Sequence, residues 1–558
     1  MGKFSLALLL LVCSSLSQTA LGQSVKAPGR AALDLDAGAY PESGPDPLTP
    51  PPANAQPLLA PGAAGALPEA GPSRDADPIV LAVRQRLATA PAARDSGEQA
   101  DAAALKAFYA QRAGALWLAE GMLTPRAEQT MLEISQADSW GLKASVFDLP
   151  KSGAPGTEVE ALADVEIKLS LAVLKYARAA RGGRLEPTTV SRKFDQKPPV
   201  YDPGSLLLAV AEQADVAAYL RQLHPRHPQF ARLRQALQAA RAGPADANTA
   251  NTVRRLIANL ERWRWMPDDL GDFYVWDSVP EQVTRVVDRG EVTLSEKIVV
   301  GKPSTPTPIF SANMQFVIFH PSWGVPAGMK TQELWPQLRN TGGGWFSSYP
   351  LASAVLAGHG LYVSRGGQPI NPDAVDWSKA DIREFEFVQP PGPKNVLGIV
   401  KFRFPNKHDV YMHDTPERHL FGGAMRAFSH GCMRVQNPIR LAEVLLAHDK
   451  GWTTSDVQGY VRRGGEIALK QPIPVHVTYF TAVADDAGKV QYFPDVYGLD
   501  DRLASALEGA RVSLAATPAT RETPARQSAR APARASSRAP QKVKVAPSSN
   551  PLAAIFWN

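Results

Sequence analysis

Cys432 and His413 are the residues from which chemistry could start. The sequence holds two cysteines in 558 residues. Cys432 lies in the run Ser429-His430-Gly431-Cys432-Met433-Arg434. Cys13 lies in an N-terminal segment with a positive start at Lys3, an apolar run from Phe4 to Val12 and small residues at Ala20-Leu21-Gly22. That pattern reads as a secretory signal peptide cleaved after Gly22, because the run is shorter than the ~20 residues a membrane span needs. Cleavage would leave Cys432 as the sole thiol of an exported chain, where an unpaired thiol is either buried or used.

A free thiol titrates near ~8.5 and is a weak nucleophile until a base or cation favours the thiolate. A histidine within reach supplies that base. In Val410-Tyr411-Met412-His413 the strand period puts Tyr411 and His413 on one face, with Val410 and Met412 toward a core. Residues 414–428 then allow the chain to loop back and set Cys432 beside His413. His430 is the second candidate base, but as a sequence neighbour of the thiol it is better suited to orienting the turn. Gly431 lets an acyl group approach the backbone. The amides of Gly431 and Cys432 are candidate oxyanion donors, each worth roughly 3 kcal/mol. A zinc site from Cys432, His430, His413 and His419 fits the usual paired-ligand spacings poorly. Asp414 and Glu417 either orient His413 or start the turn at Pro416; the turn is the favoured reading.

These residues need elements to hold them. Residues 23–77 are rich in Pro, Ala and Gly and read as a disordered linker. Residues 78–265 carry helical periodicity, as at Leu105, Phe108, Tyr109, Ala113 and Leu116, and form a helical domain. From 266 to 480 the pattern turns to short β-branched and aromatic strands bounded by Gly, Pro, Asn or Asp. A long stretch at about 324–360, part of an insertion over the sheet at about 324–388, interrupts the strands and reads as functional or disordered. After the cysteine, Asn437 as N-cap and Pro438 at N1 open a helix with Ile439, Leu441, Ala442, Leu445 and Leu446 on its apolar side. Residues 481–509 form an extension. From 510 to 558 a basic tail follows, with eight Lys/Arg between Arg511 and Lys544 against Glu522. The net charge is +6 and that tail carries it, so a basic nucleic-acid-binding fold is not indicated. His224 and His227 read as exposed at a helix start. Trp263, Trp265 and Trp335 read as core or cap packing, and Trp345, beside a Thr-Gly-Gly-Gly run, as a candidate substrate contact.

His413, the spacer and Ser429-His430-Gly431-Cys432 together resemble the signature of the L,D-transpeptidases. "NLERWRWMP", "KIVVGKPSTPTPIFS", "VLGIVKFRFPN" and "VYMHDTP" are similar to the larger Gram-negative members. The resemblance implies an α+β multidomain chain: a mostly-β catalytic domain with a capping insertion, preceded by an α-helical scaffold domain. It implies Cys432 as nucleophile, His413 as proton donor and acceptor, and Ser429, His430 and Gly431 shaping the oxyanion site. Tyr411, Arg434 and Trp345 would contact substrate. The implied reaction attacks a peptidoglycan tetrapeptide stem, releases D-alanine and forms a 3→3 cross-link through a thioester, with carbapenems acylating the same thiol. Hydrolysis, or attachment of an envelope protein to the wall, is the alternative fate of that thioester. No metal or organic cofactor, nucleic acid or transmembrane segment is implied. The expected setting is the periplasm, with stem peptides and other wall-synthesis proteins as partners. The short stretch before "NLERWRW" departs from relatives that insert a peptidoglycan-binding module there.

Overall fold

The computed structural model describes residues 76–90, 96–151, 156, 158–342 and 349–509. The signal-peptide, linker and basic-tail expectations, and Trp345, lie outside the described residues. A helical N-terminal region is followed by a sheet-rich domain. Among the described residues no helix is long and apolar enough to cross a membrane.

The long helix α1 (Val159–Gly182) buries Leu162, Leu169, Val173, Tyr176 and Ala180, a 3–4 spacing that makes one apolar face. It stops at Gly183, whose φ of +86° favours glycine and whose added Cβ would lie 2.7 Å from Glu261 Oε1. Leu105, Phe108 and Tyr109 fall in the preceding helix Ser96–Gln111, whereas Ala113 and Leu116 lie beyond its end. Two further helices, α2 (Pro228–Arg241) and α3 (Ala247–Arg264), lead to the sheet. The last turns of α3 are buried nearly all round, as for a helix packed on both sides. Leu260 and Trp263 face α2 and the sheet, while Ala258 enters the sheet's own core.

His224 and His227 are not exposed. His227 caps α2 by accepting from the Gln229 N–H and stacks on Trp263 at 4.3 Å. His224 pairs with the Tyr176 hydroxyl at 3.0 Å and stacks on Trp140. Aromatic faces cover both imidazoles, which local polarity around a helix start does not reveal. Trp263 and Trp265 are buried, and Trp335 packs within the insertion on the core that holds Trp377, its indole N–H donating to the Trp377 carbonyl.

The sheet comprises β1 (Phe273–Ser278), β2 (Val283–Asp288), β3 (Glu291–Gly301), β4 (Phe310–Phe319), β5 (Val400–Arg403), β6 (Met412–His413), β7 (Ala427–Ser429), β8 (Met433–Val435) and β9 (Gly465–Thr478). Its order is β7-β3-β8-β6-β5-β4-β9-β1-β2, and β2 pairs back onto β3. The eight strands from β3 round to β2 therefore close into a ring, with the short β7 paired onto β3 alone. The alternating residues Val275, Met314, Val317, Phe402, Met412, Met433 and Val475 fill its core. The helix α4 (Pro438–Lys450) packs Leu441, Ala442, Leu445 and Leu446 into the same core. Pro438 opens it as the sequence suggests. The Asn437 side chain, however, makes no cap hydrogen bond and donates instead to Glu296 at 2.8 Å.

The insertion is a small unit with a sheet of its own, which a reading of 324–360 as helical and glycine-rich does not foresee. Strands Trp323–Gly324, Phe385–Gln389, Tyr362–Arg365 and Gln368–Pro369 pair in that order. Trp323, Leu334, Leu338, Leu356, Trp377 and Phe387 form a separate core. Asn395 holds the two ends of the insertion together, its amide donating to the Pro321 and Gln389 carbonyls.

Gly398, beside β5, has a φ of +57°, and an added Cβ would run into the Asp414 carboxylate. That carboxylate is held by the Ile399 and Thr415 N–H groups and by Arg418, so it has nowhere to move. Gly398→Ala is expected to lower stability by about 1–3 kcal/mol, read as a fall in the thermal midpoint.

Candidate active site

The site is built where β6 and β8 lie side by side in parallel. Met412 pairs with Met433, and His413 with Arg434. The two methionines are fully buried in the core. Strand alternation then sends Tyr411, His413, Cys432 and Arg434 to the opposite face. Extending the register one residue back puts Cys432 across from Tyr411, and the Met433 N–H donates to the Tyr411 carbonyl at 3.1 Å. On the other side of β6, Lys401 of β5 pairs with His413 and joins the same face.

His413 is completely buried. Its Nδ1 lies against the Asp414 main-chain carbonyl. A carbonyl can only accept, so Nδ1 carries the proton and Nε2 the lone pair. Among the described residues Nε2 has no hydrogen-bond partner. Burial, reinforced by the Arg434 charge, holds the imidazole down at about 3. The ring is thus held in one tautomer with its Nε2 lone pair unpartnered. Asp414 has two roles: its carbonyl orients His413, and its carboxylate builds the turn at 414–418.

Cys432 is half-buried. Burial pushes its thiol up to about 11, opposed by hydrogen bonds from Tyr411 and by the Lys401 charge. Its Sγ points to the Asp409 carbonyl at 3.8 Å, so engaging His413 requires the sulfur to turn away from that carbonyl. With a thiol so high and an imidazole so low, the resting pair is neutral rather than a thiolate–imidazolium ion pair.

The turn that carries the thiol is tied from below. Gly431 has a φ of +116°, a conformation open to glycine and strained for other residues. Ser429, fully buried, receives the Gly431 N–H at 3.1 Å and donates to the Cys432 carbonyl at 2.6 Å. The Gly431 amide is therefore engaged and does not stand ready for an oxyanion. The Cys432 amide is the donor that remains. Thr307 donates to the Gly431 carbonyl at 2.9 Å and Thr305 to the Ser429 carbonyl at 3.0 Å. Tyr497, in the segment after the sheet, donates to the Gly301 carbonyl at 2.7 Å and accepts from the Thr307 N–H at 3.2 Å. Sequence reasoning missed Thr305, Thr307 and Tyr497; the only trace of the first two is the Ser-Thr-Pro-Thr-Pro run following β3.

The remaining candidates scatter. His430 does not face His413; its Nε2 meets the Glu333 carboxylate of the insertion at 2.6 Å. Arg434 is fully buried and ion-paired with Glu417 at 2.6 Å, so its guanidinium reaches no open surface from which to touch a ligand. Tyr411 packs on the insertion's core and lies edge-on to His413, with ring centroids 5.7 Å apart. His419 is exposed, and among the described residues no cluster of three or more His, Cys, Asp or Glu side chains is arranged to hold a metal ion.

Tyr497→Phe would strand the Gly301 carbonyl and the Thr307 N–H. It is expected to cost about 1–3 kcal/mol of stability, measured by denaturant unfolding, and to slow alkylation of Cys432 although the hydroxyl does not contact the sulfur.

Residues 272–462 match the family model described as the L,D-transpeptidase catalytic domain, and residues 103–237 match that of the scaffold domain. A Haemophilus influenzae protein named "Putative L,D-transpeptidase" is 26% identical over 252 residues, a match covering 45% of this chain and 49% of that protein. The chain thus spans about half the length of the curated relative it matches. Among solved structures, an L,D-transpeptidase from Mycobacterium smegmatis is 14% identical, covering 37% of this chain and 58% of that one, with a TM-score of 0.17. L,D-transpeptidase 1 of Mycobacterium tuberculosis is also 14% identical, covering 37% and 61%, with a TM-score of 0.14.

Proposed function

Because this chain carries the catalytic domain of the L,D-transpeptidase family behind a scaffold domain, we propose that it is a cysteine acyltransferase forming 3→3 cross-links in peptidoglycan. The observation that carries this reading is the bare Nε2 lone pair of His413, held by the Asp414 carbonyl on the face that Cys432 shares.

In the proposed reaction the donor is a tetrapeptide stem. Cys432 Sγ attacks the carbonyl of its third residue while His413 Nε2 takes the thiol proton. The Cys432 N–H stabilises the developing oxyanion. As the tetrahedral intermediate collapses, the C–N bond breaks and His413 returns the proton to the departing amine of D-alanine. The side-chain amine of an acceptor stem then attacks the thioester, with His413 again taking a proton, and passing it to the leaving Cys432 sulfur. Water or an envelope protein in the acceptor's place would give hydrolysis or attachment to the wall. The setting is the periplasm, and the partners are stem peptides and other wall-synthesis proteins. Ser429 and Gly431 shape the turn, His430 links it to the insertion, and Tyr411 lines the pocket.

Incubation of the full chain with a carbapenem is expected to add one drug mass, and none in Cys432→Ala; equal labelling of both would overturn the nucleophile. Purified tetrapeptide muropeptide is expected to yield 3→3 dimers and free D-alanine. Release of D-alanine with tripeptide alone would replace cross-linking with hydrolysis. His413→Asn should slow acylation by about 10²–10⁴-fold.

The pH dependence follows from the two shifted groups. A lowered His413 stays a free base as pH falls, until about 3, and a raised Cys432 stays a thiol until about 11. Acylation is therefore expected to be flat from about pH 5 to 9. An acid limb near the ordinary histidine value of 6.5 would show that the imidazole is not held neutral.

A further inference from the structure

Lys401 is a charged side chain on the reacting face that the proposed reaction leaves without a task. β5 pairs with β6 so that Lys401 stands opposite His413. Its Nζ sits 3.9 Å from the centroid of the Tyr411 ring. Among the described residues no carboxylate pairs with it. Glu466 is taken by Arg403 at 3.0 Å, and Asp409, exposed in the loop before β6, acts on it only through space. Arg434, the other cation of this face, is different, since Glu417 neutralises it at 2.6 Å. Lys401 is half-buried, and burial lowers its amine. Partly burying an ammonium without a counter-charge is unfavourable. It is retained here against an aromatic face, next to a sulfur that must become an anion.

Building on the Cys432–His413 reading, we propose that Lys401 is a positioning residue of the nucleophile, its ammonium on the Tyr411 ring stabilising the Cys432 thiolate as the proton leaves for His413. Two effects combine. The charge acts directly on the sulfur, since Lys401 and Cys432 each shift the other toward the ionised form. It is also held 3.9 Å from the centroid of the Tyr411 ring, a cation–π contact that keeps the ammonium on the reacting face. The same charge opposes protonation of His413. That opposition is the smallest of the influences on the ring, so the main effect of Lys401 is on the sulfur. Around this sulfur stand Lys401 from β5, Tyr411 just before β6, His413 from β6 and Asp409 from the loop before it, with the buried Arg434–Glu417 pair acting through space; His430, held by Glu333, lies on the insertion side.

The test is the pH profile of Cys432 alkylation by iodoacetamide in the full chain, followed by mass spectrometry. In Lys401→Met the alkaline limb of the profile, where the thiolate forms, is expected to move to higher pH, slowing alkylation by about tenfold within that limb, the effect of one nearby charge. Lys401→Arg, which keeps the charge, should stay close to wild type. An unchanged profile in Lys401→Met would overturn the proposal, as would an equal upward shift in Lys401→Arg, which would mean that packing rather than charge matters. If Lys401→Met does not fold, Lys401→Gln, which removes the same charge, decides by the same readout. Alkylation needs no stem peptide. A wild type that shows the Lys401 effect but forms no carbapenem adduct and no dimers would refute the transpeptidase reading and leave this one standing.

Discussion

The parallel contact between β6 and β8 is the constraint on which the site depends. Each strand is only two or three residues long, yet each supplies a methionine to the core and chemistry to the other face. Moving either strand by one residue would exchange those faces. Met412 or Met433 would then stand in the cleft, and His413 or Cys432 in the core. Closure of the ring makes that slip costly, because β3, β8, β6, β5 and β4 are neighbours in one continuous ladder.

Around that contact the protein spends main-chain groups rather than side-chain acids. A carbonyl, not a carboxylate, fixes the His413 tautomer. Hydroxyls from Thr305, Thr307 and Ser429 hold the turn. Neutral partners of this kind orient without adding charge. A carboxylate facing the imidazole would raise its affinity for a proton, whereas here burial and nearby cations keep it a base. The half-buried thiol shares the environment, which explains why both groups rest neutral.

The helical region and the insertion each reach this site through a chain of contacts. The helix α3 meets the C-terminal segment through Arg262–Asp500 at 2.6 Å and Asn259–Thr481 at 2.9 Å. That segment carries Tyr497, whose hydroxyl supports the Thr307 loop under the turn. The insertion reaches the site through Glu333 on His430 and its core against Tyr411. Both halves of the chain therefore bear on the turn around Cys432.

The pattern of types and spacing alone determined the return of Cys432 to the neighbourhood of the His413 strand, the core-facing role of Val410 and Met412, the change from helices to strands near residue 266 and the helix opening at Pro438. These are local matters: periodicity, turn residues and caps act over a few positions. Only the tertiary structure decided that the Gly431 amide is consumed by Ser429, that Arg434 is sealed against Glu417, that His430 turns to the insertion and that Lys401 enters the site. It also buried His224 and His227 under aromatic rings. Each of those outcomes depends on which distant segment arrives beside a given residue. Hydrogen bonds and ion pairs are satisfied across the fold, by partners that neighbouring positions in the chain do not specify.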